Sequence, residues 1–182
     1  TTKNFSDKLF FMYNQSSSNN GNFKYVREGQ ITVKIKRLRE DSRIPSLGTQ
    51  MSTGYDLYYV PTKDYKSENI YLKDIITVNP GQTVLIPTGI SIEPPEGLWC
   101  AVHGRSSTNK RGILVHTGII DNDYRGEIMV VATNVSERII FIEPYTKIAQ
   151  IVFYNLIQVH FEETDKLSET SRNEGGFGST GN

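Results

Sequence analysis

From Ile31 onward the chain alternates: Ile31, Val33 and Ile35 are apolar while Thr32, Lys34 and Lys36 are polar, a period of two that lines one face of a strand. Short apolar or alternating runs of the same kind recur at 55–60, 70–76, 83–86, 89–92, 98–102, 113–115, 127–132, 138–142 and 148–159. Turn chemistry separates them. Asn79-Pro80-Gly81, Pro87-Thr88-Gly89, Pro94-Pro95-Glu96-Gly97 and Glu143-Pro144 fix or permit the backbone angles of tight turns. No helix-length window sustains a 3.6-residue period, although 106–110 has room for about one turn. The pattern predicts an all-β fold of about ten short strands, which suits a jelly roll or a related double-sheet barrel.

Composition changes the picture at both ends. Residues 1–29 are rich in Ser, Asn and Gly, as in Gln15-Ser16-Ser17-Ser18-Asn19-Asn20-Gly21-Asn22, and read as a flexible extension with one apolar cluster, Phe10-Phe11-Met12-Tyr13, able to dock on a surface. The β domain is expected at 30–160, and 161–182 reads as a polar C-terminal arm with a glycine-rich end. Apolar residues are 37% of the 182 and charged residues 22%, a globular balance for one domain plus extensions.

Twenty basic residues balance twenty acidic ones, so no basic excess points to nucleic acid, and any polyanion site must be local. The lone Cys100 forms no internal disulfide and, beside Trp99, reads as core or interface. No Cys/His spacing suits zinc, and His103, His116 and His160 are too scattered for a metal, reading instead as partly buried strand residues. The longest apolar runs are about five residues against the ~20 of a membrane span, and nothing resembles a signal peptide. The expectation is a soluble cytoplasmic or nuclear protein, not secreted, with neither membrane nor nucleic acid as partner.

Five segments use small, charged and glycine residues where an all-β core has no need of them. They are Thr53-Gly54-Tyr55-Asp56-Leu57, Gly104-Arg105-Ser106-Ser107, the stretch from Gly118 through Asp121-Asn122-Asp123-Tyr124-Arg125 to Glu127, Lys147-Ile148-Ala149-Gln150, and Arg172-Asn173-Glu174-Gly175-Gly176-Phe177-Gly178-Ser179-Thr180-Gly181. In this order and spacing they closely resemble the five motifs of the homotrimeric dUTPase family, over roughly 31–181. The final glycine run alone also matches G-x-G-x-x-G, which is weak, and no Lys stands beside Ser179 or Thr180 as a Walker loop requires.

The resemblance implies a jelly-roll enzyme that cleaves dUTP to dUMP and pyrophosphate with Mg²⁺, working as a homotrimer whose sites combine motifs from neighbouring subunits. It implies that Asp121 activates the attacking water and that Tyr124 bars a ribose 2′-hydroxyl. Gly118 marks the entry of the hairpin whose backbone reads uracil. Arg105, Ser106 and Ser107 bind phosphate oxygens, with Ser106 at the oxygen between the α- and β-phosphates and Gln150 donating to the same region. The magnesium is held by the triphosphate and water, with Asp56 beside its hydration shell. Arg172 reaches the γ-phosphate, Phe177 stacks on uracil, and Gly178, Ser179 and Thr180 cradle phosphates in a closing lid.

Each residue also has a plainer reading. Asp121-Asn122-Asp123 is good Asx-turn chemistry, a lone Tyr124 suits a core, Ser107 could cap a short helical turn, and Gln150 could face solvent. Two departures from the family pattern stand out. Asn173 occupies a position where the family has Gly, and 62–73 is longer than usual between its strands. That stretch and the N-terminal extension are where a protein partner would bind. A dCTP deaminase of the same fold and a nucleotide-sensing module are the competing functions.

Overall fold

A computed structural model describes residues 31–62 and 74–175. By its contacts the chain divides into units at 1–32 and 33–182, and the following concerns the second. The extension at 1–29 and the stretch 63–73 lie outside the described residues. The strands are β1 (Lys34–Arg37), β2 (Ser46–Leu47), β3 (Tyr55–Tyr58), β4 (Ile76–Val78), β5 (Thr83–Pro87), β6 (Ile90–Glu93), β7 (Leu98–Gly104), β8 (Ile113–Val115), β9 (Gly118–Ile120), β10 (Met129–Asn134), β11 (Ile140–Ile142) and β12 (Lys147–Asn155). One short helix, α1 (Ser106–Lys110), follows β7. No helix among the described residues is long and apolar enough to cross a membrane.

The strands pair antiparallel as β1-β6, β5-β10-β8, β11-β4 and β2-β3-β12-β7-β9, a jelly roll that matches the expected fold class. Its core is aliphatic. Leu57, Ile86, Ile90, Val102, Ile113, Ile128, Val130, Ala132, Ile148 and Ile151 are among the side chains buried in one cluster, where each large aliphatic contributes about 1.5–3 kcal/mol by leaving water. Cys100 belongs to this core, and burial pushes its thiol pKa up to about 12.

Three expectations need correction. The run at 148–159 pairs only as far as Asn155, and 156–174 is exposed. β2 and β9 are strands that the apolar pattern did not announce, because two or three residues are too few to display a period. Of the histidines, His103 is half-buried on β7, whereas His116 and His160 are exposed, outside any strand.

β12 carries the architecture of the site. Gln150 faces Asp56 on β3 and His103 on β7, so the three form one row. Residues 147 and 150 are an odd number apart and in a regular strand would point to opposite faces. A bulge between Lys147 and Ala149 changes this, pairing Lys147 with Tyr58 and Gln150 with Asp56. Lys147 and Gln150 therefore share the face of Asp56, while Ile148 and Ile151 enter the core.

Candidate active site

The residues of four motifs gather in two places. The first is the Asp56 row. Asp56 is 5% exposed, and its carboxylate meets Arg105 Nε at 2.7 Å and Lys147 Nζ at 2.8 Å. A carboxylate taken out of water needs such partners, and the two cations are in turn fixed by it. The Asp56 hydrogen bond and charge raise the pKa of Lys147 above its ordinary value. Arg105 also donates through Nη1 to the Lys147 carbonyl at 3.1 Å and to Ser107 Oγ at 3.2 Å, which leaves its Nη2 end toward solvent.

Ser106 and Ser107 are exposed in the first turn of α1. The N-cap is Arg105 and has no side-chain cap bond, so the capping reading of Ser107 is wrong: its hydroxyl serves Arg105 instead. Nor does Gln150 face solvent freely. Its Nε2 donates to the Gly104 carbonyl at 2.9 Å, and its amide lies against Gly54, where a Cβ would overlap it.

Sequence reasoning overlooked Lys147 as a partner of Asp56. The signal was available only as a basic residue opening the fourth motif; the bulge that turns it toward Asp56 is tertiary. The turn before it holds Tyr145 at φ +63°, in the left-handed region that bulky residues avoid. Tyr145 is kept there by its N–H on the Tyr59 carbonyl at 2.7 Å and its hydroxyl on Asp41 at 2.6 Å, with the Arg43 guanidinium 4.7 Å from its ring centre.

The second place is the segment after β9. Asp121 is exposed, its carbonyl accepts from the Tyr124 N–H at 3.1 Å to close a turn, and its carboxylate receives no hydrogen bond from the described residues. The Asx-turn reading thus gives way to a backbone turn with an unspent carboxylate. Tyr124 is 43% exposed, not core, and its hydroxyl donates to the Glu127 carbonyl at 2.9 Å. Its ring lies across Gly126, where a Cβ would collide with it. Gly118 sits opposite Val102 at the start of β9.

Glu127 anchors the far end. It takes a two-bond grip from Arg39, at 2.7 and 3.2 Å, and the Gly89 N–H at 2.6 Å. Burial alone would push its carboxyl up, but these bonds outweigh it and hold its pKa below the usual carboxylate range. Sequence reasoning missed this pair too, since Arg39 and Glu127 lie far apart in the chain.

The two places are separated along β7. Cys100 pairs with Ile120, so Asp121 stands level with Trp99, six residues from Arg105. At the rise of a strand that is about 20 Å, more than the two side chains can bridge. No hydrogen bond or ion pair among the described residues joins Asp121 or Tyr124 to Arg105, Ser106 or Gln150. Of the last motif, Arg172 is exposed and donates through Nε to the Gly175 carbonyl at 2.8 Å. Asn173 adopts φ +40°, the left-handed conformation that its family counterpart glycine would take, held by paired bonds with Thr170 at 2.6 and 3.0 Å. Phe177, Gly178, Ser179 and Thr180 lie outside the described residues.

An all-β jelly roll with a cationic, hydroxyl-rich cluster at one end of a strand and an unspent carboxylate at the other defines a binder of anionic ligands equipped for acid–base chemistry. The dUTPase family model matches residues 40–181, and the chain belongs to the dUTPase family. It is 39% identical over 150 residues to the deoxyuridine 5′-triphosphate nucleotidohydrolase of a Hydrogenobaculum species, covering 81% of this chain and 96% of that one. To the enzyme of the same name from Clostridium tetani it is 39% identical over 155 residues, covering 84% and 98%. Among solved structures, the Staphylococcus bacteriophage 80alpha dUTPase with dUpNHpp superposes with a TM-score of 0.67 at 20% identity, over 82% of this chain and 98% of that one. A dUTPase from phage phi11 of S. aureus, which coordinates a structural Mg(II) ion, has the same fold, with a TM-score of 0.62 at 18% identity over 74% and 97%.

Proposed function

We propose that this chain is a dUTP diphosphatase, cleaving dUTP to dUMP and pyrophosphate at sites shared between copies of itself in a homotrimer. The observation that carries the shared site is the separation of about 20 Å between Asp121 and Arg105 within one protomer. A water poised on Asp121 and a phosphate held by Arg105 must meet within a few ångströms, so the two groups act together only when they come from different copies.

At such a site the Asp121 carboxylate takes a proton from water as the water oxygen bonds to the α-phosphorus. The bond from that phosphorus to the α,β-bridging oxygen breaks, and pyrophosphate leaves. Ser106 donates to the bridging oxygen, Gln150 uses the amide hydrogen not spent on Gly104, and Arg105 offers its Nη2 end, each with Ser107 on developing phosphate charge. Tyr124, pinned by its hydroxyl, bars a 2′-hydroxyl, while the hairpin opened by Gly118 reads uracil by its backbone. Arg172 and the segment of Phe177, Gly178, Ser179 and Thr180, in the arm at 161–182, close over the nucleotide. The N-terminal extension and 62–73 remain the places for a protein partner.

The residues present fit a cation that arrives on the triphosphate. Both Asp56 oxygens already meet cations, leaving remaining lone pairs to accept from the ion's waters rather than to ligate it directly, and no three His, Cys, Asp or Glu side chains converge among the described residues. Bound with the triphosphate, Mg²⁺ would neutralise phosphate charge.

The reading is tested by incubating the protein with Mg²⁺ and, separately, dUTP, dCTP, dTTP and UTP, and identifying products. Rapid release of dUMP and pyrophosphate from dUTP alone is expected. Ammonia from dCTP would favour the deaminase, and binding of dUTP without cleavage would favour a sensing module; either overturns the proposal.

A further inference from the structure

Asn122 does more than fill the turn beside Asp121. Its Nδ2 donates to the Leu98 carbonyl at 2.8 Å and the Pro95 carbonyl at 2.9 Å, with the Pro94 carbonyl at 3.4 Å. An amide has two hydrogens, so Leu98 and Pro95 take the two good bonds. These acceptors are themselves held rigidly. Pro94 and Pro95 have fixed φ and no N–H, the Leu98 N–H closes the turn onto Pro95 at 3.2 Å, and β7 begins at Leu98.

On its other side the Asn122 carbonyl accepts from Arg125 Nη1 at 2.6 Å, and the same nitrogen reaches the Tyr124 carbonyl at 3.0 Å. Asn122 thus joins the exposed turn to the start of a core strand by its side chain and to the rest of the turn by its backbone. Asp121, one peptide away, has no such tie on its own carboxylate among the described residues. Its direction is set by the backbone that Asn122 anchors.

We propose that Asn122 is a positioning residue for hydrolysis: its amide, spent on the Pro95 and Leu98 carbonyls, fixes the turn that aims the Asp121 carboxylate. The proposal rests on the dUTPase reading given above. A displacement of about 1 Å at a reacting group can cost up to ~10²-fold in rate, so a loosened turn acts on kcat rather than on binding.

Two variants test it. Asn122→Ala should lower kcat about tenfold with KM within about twofold. Asn122→Asp keeps the shape but sets a carboxylate against carbonyl oxygens; protonation restores a donor, so its kcat relative to wild type should climb as pH falls from about 8 to about 5. The charged groups nearby are Asp121, Asp123 and Arg125 on its own turn, Glu96 on the facing turn, and Glu93, which feels the Arg125 charge. All are present in both proteins, so their titration cancels in the ratio. A readout free of turnover is hydrogen exchange at the Tyr124 amide, bonded to the Asp121 carbonyl, which should quicken in Asn122→Ala. The proposal is overturned if Asn122→Ala keeps kcat within about twofold, or if the Asn122→Asp deficit is the same across the pH range. Should wild-type protein not cleave dUTP, the hydrolase reading falls, and an unchanged Tyr124 exchange rate then overturns the anchor as well.

Discussion

The hairpin segment 118–127 and the arm 156–175 both carry residues for the nucleotide, yet they are held in opposite ways. The hairpin is stitched to its own protomer: Asn122 to Pro95 and Leu98, Ser91 Oγ to the Arg125 carbonyl at 2.7 Å, Tyr124 to Glu127, and Glu127 to Arg39. The arm leaves the body after one bond, Leu156 N–H to the Gly97 carbonyl at 2.8 Å, and the bonds printed beyond it are local. It nonetheless alternates, with Ile157, Val159 and Phe161 exposed by 79%, 68% and 89%. A base that must meet a water needs geometry set before substrate arrives, whereas a segment that must let substrate in and out gains from having none of its own.

The contrast can be broken most severely at the hairpin. Asp121→Asn should cut turnover by about 10²-fold or more while leaving binding of a non-hydrolysable dUTP analogue nearly unchanged; near-normal turnover would remove Asp121 from the mechanism. Next comes the arm. A chain ending at Ser171 should keep its melting temperature, since β12 ends at Asn155, and lose about tenfold or more in activity. Mixing it with full-length Asp121→Asn protein under subunit exchange should restore activity, because some sites then pair an intact Asp121 with an intact arm. Mixed oligomers, verified by mass, that stay inactive would refute the shared site.

A smaller effect sharpens what the stitching contributes. Glu127→Gln weakens a partly buried charged pair and should lower Tm by about 2–4 °C, the equivalent of about 1 kcal/mol in a chain of this size. The Glu127 carboxyl is held below its ordinary value of 4.5, so its contribution is present above that pH and is lost as pH falls through the lower, folded-state value. The gap in Tm between wild type and variant should therefore be full at neutral pH and close in acid; a gap that widens in acid would contradict the pairing. The least effect is expected at Cys100, whose thiol, raised to about 12 by burial, should resist iodoacetamide at pH 8 until the protein is unfolded.

Residue order alone was enough to read the all-β class, most strand positions and the five motif segments, because period two, turn residues and motif spacing are properties of neighbours in the chain. It could not say where a strand stops. The alternation continues through Ile157 and Val159, but a strand exists only where another backbone accepts its hydrogen bonds, and past Asn155 β12 has none among the described residues. Nor could it pair Lys147 with Asp56, since a regular strand would send Lys147 away from Gln150 and only the bulge reverses that. The grip of Arg39 on Glu127 and of Asn122 on Pro95 and Leu98 joins residues remote in sequence. The same is true of the distance between Asp121 and Arg105, which follows from the register of β7 against β9. Local chemistry is written in the order of residues, while separation, facing and burial arise only when backbone pairing brings distant segments side by side.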